Sequence, residues 1–121
     1  STQAKTLFPY TTLFRSVDHF PWETIRFATM TIEHDQYRFG TATRDHIRRT
    51  LTAHGYTLVC ADVVMPDAPH EAYGPFEDWW ADLNTVNPEA VEQIRCDRLT
   101  YLEIFKKIDS SPYAFYCPPP S

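Results

Sequence analysis

Between Ile25 and Glu33 the chain carries Ile25, Phe27, Ala28, Met30 and Ile32 in a nearly continuous apolar run. Such a run is the mark of a buried central strand, and it ends in the polar cluster Glu33, His34, Asp35 and Gln36. After a loop to Gly40, Ile47 and Leu51 share one face at four-residue spacing and predict a helix from Thr43 to His54. Thr43 is its expected N-cap, and Gly55 stands where the left-handed residue after a helix belongs. Tyr56 to Val64 reads as a second strand, Pro66 to Pro75 as a loop, and Phe76 to Leu83 as a third strand carrying Trp79 and Trp80.

Strand, helix and strand in this order predict a βαβ unit in a parallel sheet. The third strand follows the second after only a loop, so its direction is expected to be reversed. Asn87 and Pro88 form an N-cap and first-turn pair, and one helix is expected from there to about Lys107. Its core-facing residues are expected to be Val91, Ile94, Leu102 and Phe105. Pro112 and Pro118 to Pro120 mark a tail. The expected organisation is a domain portion over 17–86, a helical extension over 87–109 and a Pro-rich tail over 110–121.

The first sixteen residues stand apart. Thr6 to Ser16, TLFPYTTLFRS, resembles the conceptual translation of a sequencing adapter. It has neither a helical nor an alternating period, so Ser1 to Ser16 is set aside from fold reasoning as an artefact.

Composition narrows the function classes. In 121 residues, 43% are hydrophobic and 15% aromatic, enough for one modest core. Eleven basic against sixteen acidic residues give a formal charge of −5, which argues against a nucleic-acid binder. The cluster Arg44, Arg48 and Arg49 reads as the wet side of the first helix. Cys60, Cys96 and Cys117 lack paired spacing, which suits a reducing cytoplasm, and Cys60 reads as a small core residue. No apolar run approaches the roughly 20 residues of a membrane-spanning helix, so no membrane partner is expected.

Three short motifs occur in order: Ile32-Glu33-His34-Asp35; then Arg44, Ile47, Leu51, Gly55 and Tyr56; then Glu77-Asp78-Trp79-Trp80. Together they resemble the "(I/V)EH(N/D)", "R..I...L...GY" and "(E/D)DW" segments near the end of FkbM-type methyltransferases. The resemblance covers about 70 residues and omits the segment after Asn87. It implies the fold of class I methyltransferases: here the carboxy-terminal half of a Rossmann-like α/β sheet, with an antiparallel strand and a carboxy-terminal helix. It implies S-adenosylmethionine as cofactor of a longer parent, and O-methylation of a small molecule or sugar. The acidic-glycine segment and the ribose-binding acidic residue are expected upstream. Gly40, Gly55 and Gly74 are too far apart for a cofactor loop, so these residues alone are expected to bind no cofactor.

In doubly wound sheets ligands sit at the carboxyl ends of the parallel strands, so the resemblance places Glu33, His34 and Asp35 at the rim. The start of a reversed third strand brings Glu77, Asp78 and Trp79 to the same rim. Methyl transfer to a hydroxyl gains from a general base, and Glu33 and His34 are the candidates. Successive strand residues point to opposite faces, so one of the two is expected in the cleft. His34 is preferred because its ordinary pKa lies near neutrality, with Glu33 orienting it or the acceptor. Asp35, Glu77, Asp78 and Trp79 are the candidate substrate contacts. Two other readings compete: a non-catalytic α/β interaction module using the Asn87 helix, and a small metal-dependent hydrolase using His34 and Asp35. The second is weakened because His19, His46, His54 and His70 show no ligand spacing such as HExxH.

Overall fold

The computed structural model describes residues 17–66 and 74–113. The adapter-like segment, most of the Pro66 to Pro75 loop with His70, Cys117 and the Pro118 to Pro120 tail lie outside the described residues. What is described is a mixed α/β arrangement around an open four-stranded sheet.

The first strand, β1, is Thr29–Glu33, shorter than the apolar run because Ile25 to Phe27 form the approach to it. Arg26 holds that approach by donating to Asp82 at 2.9 Å and to the His54 carbonyl, with its guanidinium 4.0 Å over the Tyr56 ring. A one-turn helix, α1 (Gln36–Phe39), occupies part of the expected loop. Helix α2 is Ala42–Ala53, capped at Thr41 rather than Thr43. Thr41 has helical torsions and makes no side-chain cap bond, so residue type alone misplaced the start by two positions. Gly55 does take the left-handed conformation, φ 86°, that ends this helix.

Strand β2 (Thr57–Val63) and strand β3 (Glu77–Ala81) follow. The sheet order is β1-β3-β2-β4, with β3 antiparallel to both neighbours, so β1 and β2 run parallel with the reversed strand between them, and β1 lies at a border of the sheet as described rather than at its centre. Two irregularities in β2, between Leu58 and Cys60 and between Cys60 and Val63, break its alternation, and Val59, Cys60, Asp62 and Val63 are all buried. Cys60 is a core residue as expected, and burial pushes its thiol pKa up.

The single long helix expected after Asn87 is two helices with a strand between. Helix α3 (Pro88–Ile94) begins as predicted, with the Asn87 side chain accepting from the Glu89 amide. It stops before β4 (Cys96–Asp97), which pairs parallel to β2, and Arg98 turns with φ 60°. Helix α4 (Tyr101–Ser110) then restarts from a Thr100–Glu103 capping box. The restart changes the helical phase. Leu102 and Phe105, expected inside, are 47% and 49% exposed, while Ile104 is fully buried. Residues 87–109 are therefore not an extension: β4 completes the sheet, and α3 and α4 pack on it.

The two sheet faces bury different sets. Met30, Ile32 and Trp80 pack with Ile47, Leu51, Tyr56 and Trp22 on the α2 side. Val59, Val63, Phe76 and Ala81 pack with Val86, Val91, Ile94 and Ile104 on the other. Burying each large side chain contributes roughly 1.5–3 kcal/mol, so both layers are needed to stabilise a chain this small. Among the described residues, no helix is long and apolar enough to cross a membrane.

Candidate functional site

The antiparallel register sets Glu33 opposite Glu77 and Ile32 opposite Asp78. The first and third motifs thus meet at one end of the sheet, at the carboxyl end of β1 and the start of β3. Alternation then divides them between the two faces.

On the α2 side, Asp78 is the centre of a buried charge network. Its Oδ1 accepts from the Asp62 amide at 2.8 Å and from Arg48 Nη2 at 2.9 Å, and its Oδ2 accepts from Arg48 Nε at 2.8 Å. Arg48 also reaches Asp62 Oδ1 at 3.0 Å, and Arg44 reaches Asp62 Oδ2 at 3.1 Å. Neither arginine is on a wet face, contrary to expectation: their spacing of four turns both toward the strand ends, and Arg49 alone is exposed. His34 Nε2 lies 3.2 Å from Asp78 Oδ1 and 3.4 Å from Asp62 Oδ1. Burial alone would push the Asp78 pKa up; hydrogen bonds from His34 and Arg48 overturn that and hold it at about 2. For His34, burial pulls the pKa down, but the bonds to Asp62 and Asp78 outweigh it and leave it above the ordinary imidazole value.

His34 therefore does not stand in a cleft. It is 1% exposed, as is Asp78, and both ring nitrogens are engaged, because Nδ1 accepts from the Gln36 amide at 3.1 Å. The preference for His34 as general base is corrected here: even-numbered residues at the end of β1 face α2, so Glu33 faces the other way. Asp78 is likewise a structural partner of Arg48 rather than a substrate contact.

His34, Asp62 and Asp78 offer three ligand-type atoms within 4.8 Å of one another. The donor set does not suit a metal ion. An Nδ1 that accepts a backbone N–H puts the ring proton on Nε2, so Nε2 has no lone pair to give. Both Asp78 oxygens are already bound by Arg48, and Arg44 and Arg48 already supply the positive charge that a cation would bring.

On the opposite face runs a groove of about 910 Å³ between β1–β3 and helices α3–α4. Trp79, Tyr101 and Phe105 form an aromatic wall, with Trp79 5.7 Å from Phe105 and Tyr101 5.9 Å from Phe105 between ring centres. Glu33 and Glu77 line the same groove, and Glu77 Oε2 accepts from Trp79 Nε1 at 2.6 Å. Asp35 sits beside them at the head of α1 with φ 48°, its amide donating to the Phe76 carbonyl at 2.9 Å. Burial pushes its carboxyl pKa up, against a hydrogen bond with Glu33 that pulls it down. A groove with apolar aromatic walls and carboxyls at one end has the room and the chemistry for a small molecule with an apolar body and a polar group.

Of the six predicted site residues, Glu33, Glu77 and Trp79 line this groove, Asp35 adjoins it only through Glu33, and His34 and Asp78 belong to the network behind it. Sequence reasoning missed Asp62, Arg48 and the groove residues Tyr37, Tyr101 and Phe105. The Arg44–Arg48 pair on one helical face was the available signal for the network. No signal marked Phe105, because its position depends on the broken helix. No family model, no curated protein and no solved structure matches this chain.

Proposed function

We propose that this chain is the acceptor-binding, carboxy-terminal part of an FkbM-type methyltransferase that methylates oxygen on a small molecule or sugar. One observation carries the reading: Glu33 pairs with Glu77, so two motifs more than forty positions apart meet at one strand end beside an open groove. Parallel β1 and β2 joined by a helix, with a reversed β3, support the Rossmann-like half-sheet that the resemblance implies.

S-adenosylmethionine does not fit the residues present. Gly40 and Gly55 have positive φ but are spent ending α1 and α2, and Gly74 packs against Tyr37. No glycine-rich cradle remains for it, so its binding falls to a part of the parent beyond these residues. This chain's share is the acceptor. The aromatic wall takes its apolar body, and the hydrogen-bonded Glu33–Asp35 pair receives its hydroxyl proton, a role that contributes roughly 10²–10⁴-fold in rate. Trp79, fixed by Glu77, orients the acceptor.

The test starts from the genomic DNA upstream of the Val17 codon. The reading expects an open frame encoding a strand and a glycine-rich loop, and the joined protein should transfer methyl groups with a Glu33→Gln variant at least about 100-fold slower. If the genome instead opens with a start codon and these sixteen residues, the methyltransferase reading fails. The groove, with Phe105 half exposed, then becomes the contact surface of an interaction module.

A further inference from the structure

Gln36 is the first residue of α1, and its amide donates to His34 Nδ1 at 3.1 Å. The Nδ1 lone pair is thereby occupied, so the ring is the neutral tautomer with its proton on Nε2, directed at Asp78 and Asp62. A second proton can enter only at Nδ1, where the Gln36 N–H already points. Two N–H groups cannot face each other at that distance, so protonation must expel the Gln36 amide. The same proton turns the ring into a cation between two carboxylates and strengthens both contacts.

We propose that His34 is a proton-operated clasp beneath the groove: neutral, it holds the first turn of α1; protonated, it releases that turn and tightens the joined ends of β1, β2 and β3. What it releases matters because α1 carries Tyr37 into the groove wall and follows directly on Asp35, the partner of Glu33. The turn is not lost altogether, since the Asp35 amide keeps the Phe76 carbonyl and the Tyr37 amide keeps the Pro75 carbonyl. The released state is a loosened groove rim on an intact sheet.

The groups that face His34 are carboxylates and guanidinium groups. Asp78 comes from β3 and Asp62 from the end of β2; both carboxyls are held low and stay ionised. Arg48 and Arg44 reach in from α2 with their guanidinium groups. On its own segment Asp35 is the nearby carboxyl, its pKa pushed up by burial. None of this depends on methyl transfer, so the clasp and the proposed function stand or fall separately.

The experiment is a nitrogen-15 titration of the full chain from about pH 9 to about pH 5, spanning the ordinary imidazole range. It follows the His34 ring and the exchange of backbone amides, corrected for intrinsic rate. At the alkaline end the ring should show its proton on Nε2. As His34 takes up the second proton, Gln36 protection should fall about tenfold, the size expected for one lost hydrogen bond, while Asp62 protection holds or rises. Gln36 protection that stays constant through the titration, an Nδ1–H tautomer at the alkaline end, or a ring that does not titrate would each overturn the clasp. His34→Gln keeps a donor and an acceptor without the titration. Its Gln36 protection should be flat with pH, and a persisting wild-type step would also overturn the proposal.

Discussion

Asp78 is the residue on which most of the strand-end electrostatics depends, because His34 and Arg48 reach it directly and Arg44 through Asp62. A carboxyl held at about 2 in the fold and near 4 when unfolded adds stability above the unfolded value. That contribution, roughly 2 kcal/mol, drains away as pH falls from about 4 toward about 2. His34 has the opposite sign. Its pKa is raised, so its contribution is complete below the ordinary imidazole value of about 6.5 and is lost as pH rises through the folded value. Thermal unfolding across pH should therefore show its greatest stability between about pH 4 and about pH 6.5. A midpoint that climbs steadily into the alkaline range would contradict this balance. Arg48→Met should lower stability by roughly 3 kcal/mol in urea, since it removes the bidentate partner of buried Asp78 and one of the two arginines on Asp62. The alternation that separates Glu33 from His34 was legible in the sequence; which of them faced α2 was not. That choice depends on where Met30 and Ile32 find Ile47 and Leu51, a tertiary fact no local pattern carries.

At the scale of elements, the clearest lesson lies between Ile94 and Thr100. A helical reading from Asn87 to Lys107 was reasonable because the apolar residues Val91, Ile94, Leu102 and Phe105 fit a loose helical period. Cys96–Asp97 is too short to announce itself as a strand, and its pairing with Cys60–Ala61 exists only once β2 is in place. The restart was nevertheless written in the chain, because Thr100 and Glu103 have the spacing of a capping box. Both reciprocal bonds form, Glu103 N–H to Thr100 Oγ1 at 3.1 Å and Thr100 N–H to Glu103 Oε1 at 3.2 Å. Thr100→Ala should cost about 1 kcal/mol, measured by urea unfolding. A loss within experimental scatter would mean that packing of Ile104, not the cap, holds α4. The strand–helix–strand order and the Asn87–Pro88 start were readable for the converse reason: each rests on contacts within a few residues.

At the scale of the whole molecule, the sheet is asymmetric. β4, α3 and α4 cover one side and one end, while β1 forms the other border of the sheet as described, next to the groove. A border strand without lysine, proline or a bulge to guard it invites pairing with another chain. Thr31 at its centre has a buried hydroxyl that finds no partner in the described structure. The chain should therefore associate with rising concentration in sedimentation, and Thr31→Lys should reduce that association. Equal monodispersity of the two proteins would show that this border is already covered.

The two irregularities in β2 bear on which changes of length this chain can absorb. β1 and β3 match residue for residue from Thr29–Ala81 to Glu33–Glu77, so one codon gained or lost there would exchange the sets on the two faces. Glu33 would turn inward among the arginines, and His34 outward. β2 already carries residues that are out of step with β3 on either side of Cys60, and its buried positions do not depend on strict alternation. In β2 the irregularities set Asp62 beside Asp78 and the arginines, so a length change there would break the charge network instead. Insertions and deletions drifting through descendants of this sequence should be purged from β1, β2 and β3 alike, the regular pair for its faces and the bulged strand for its one aspartate.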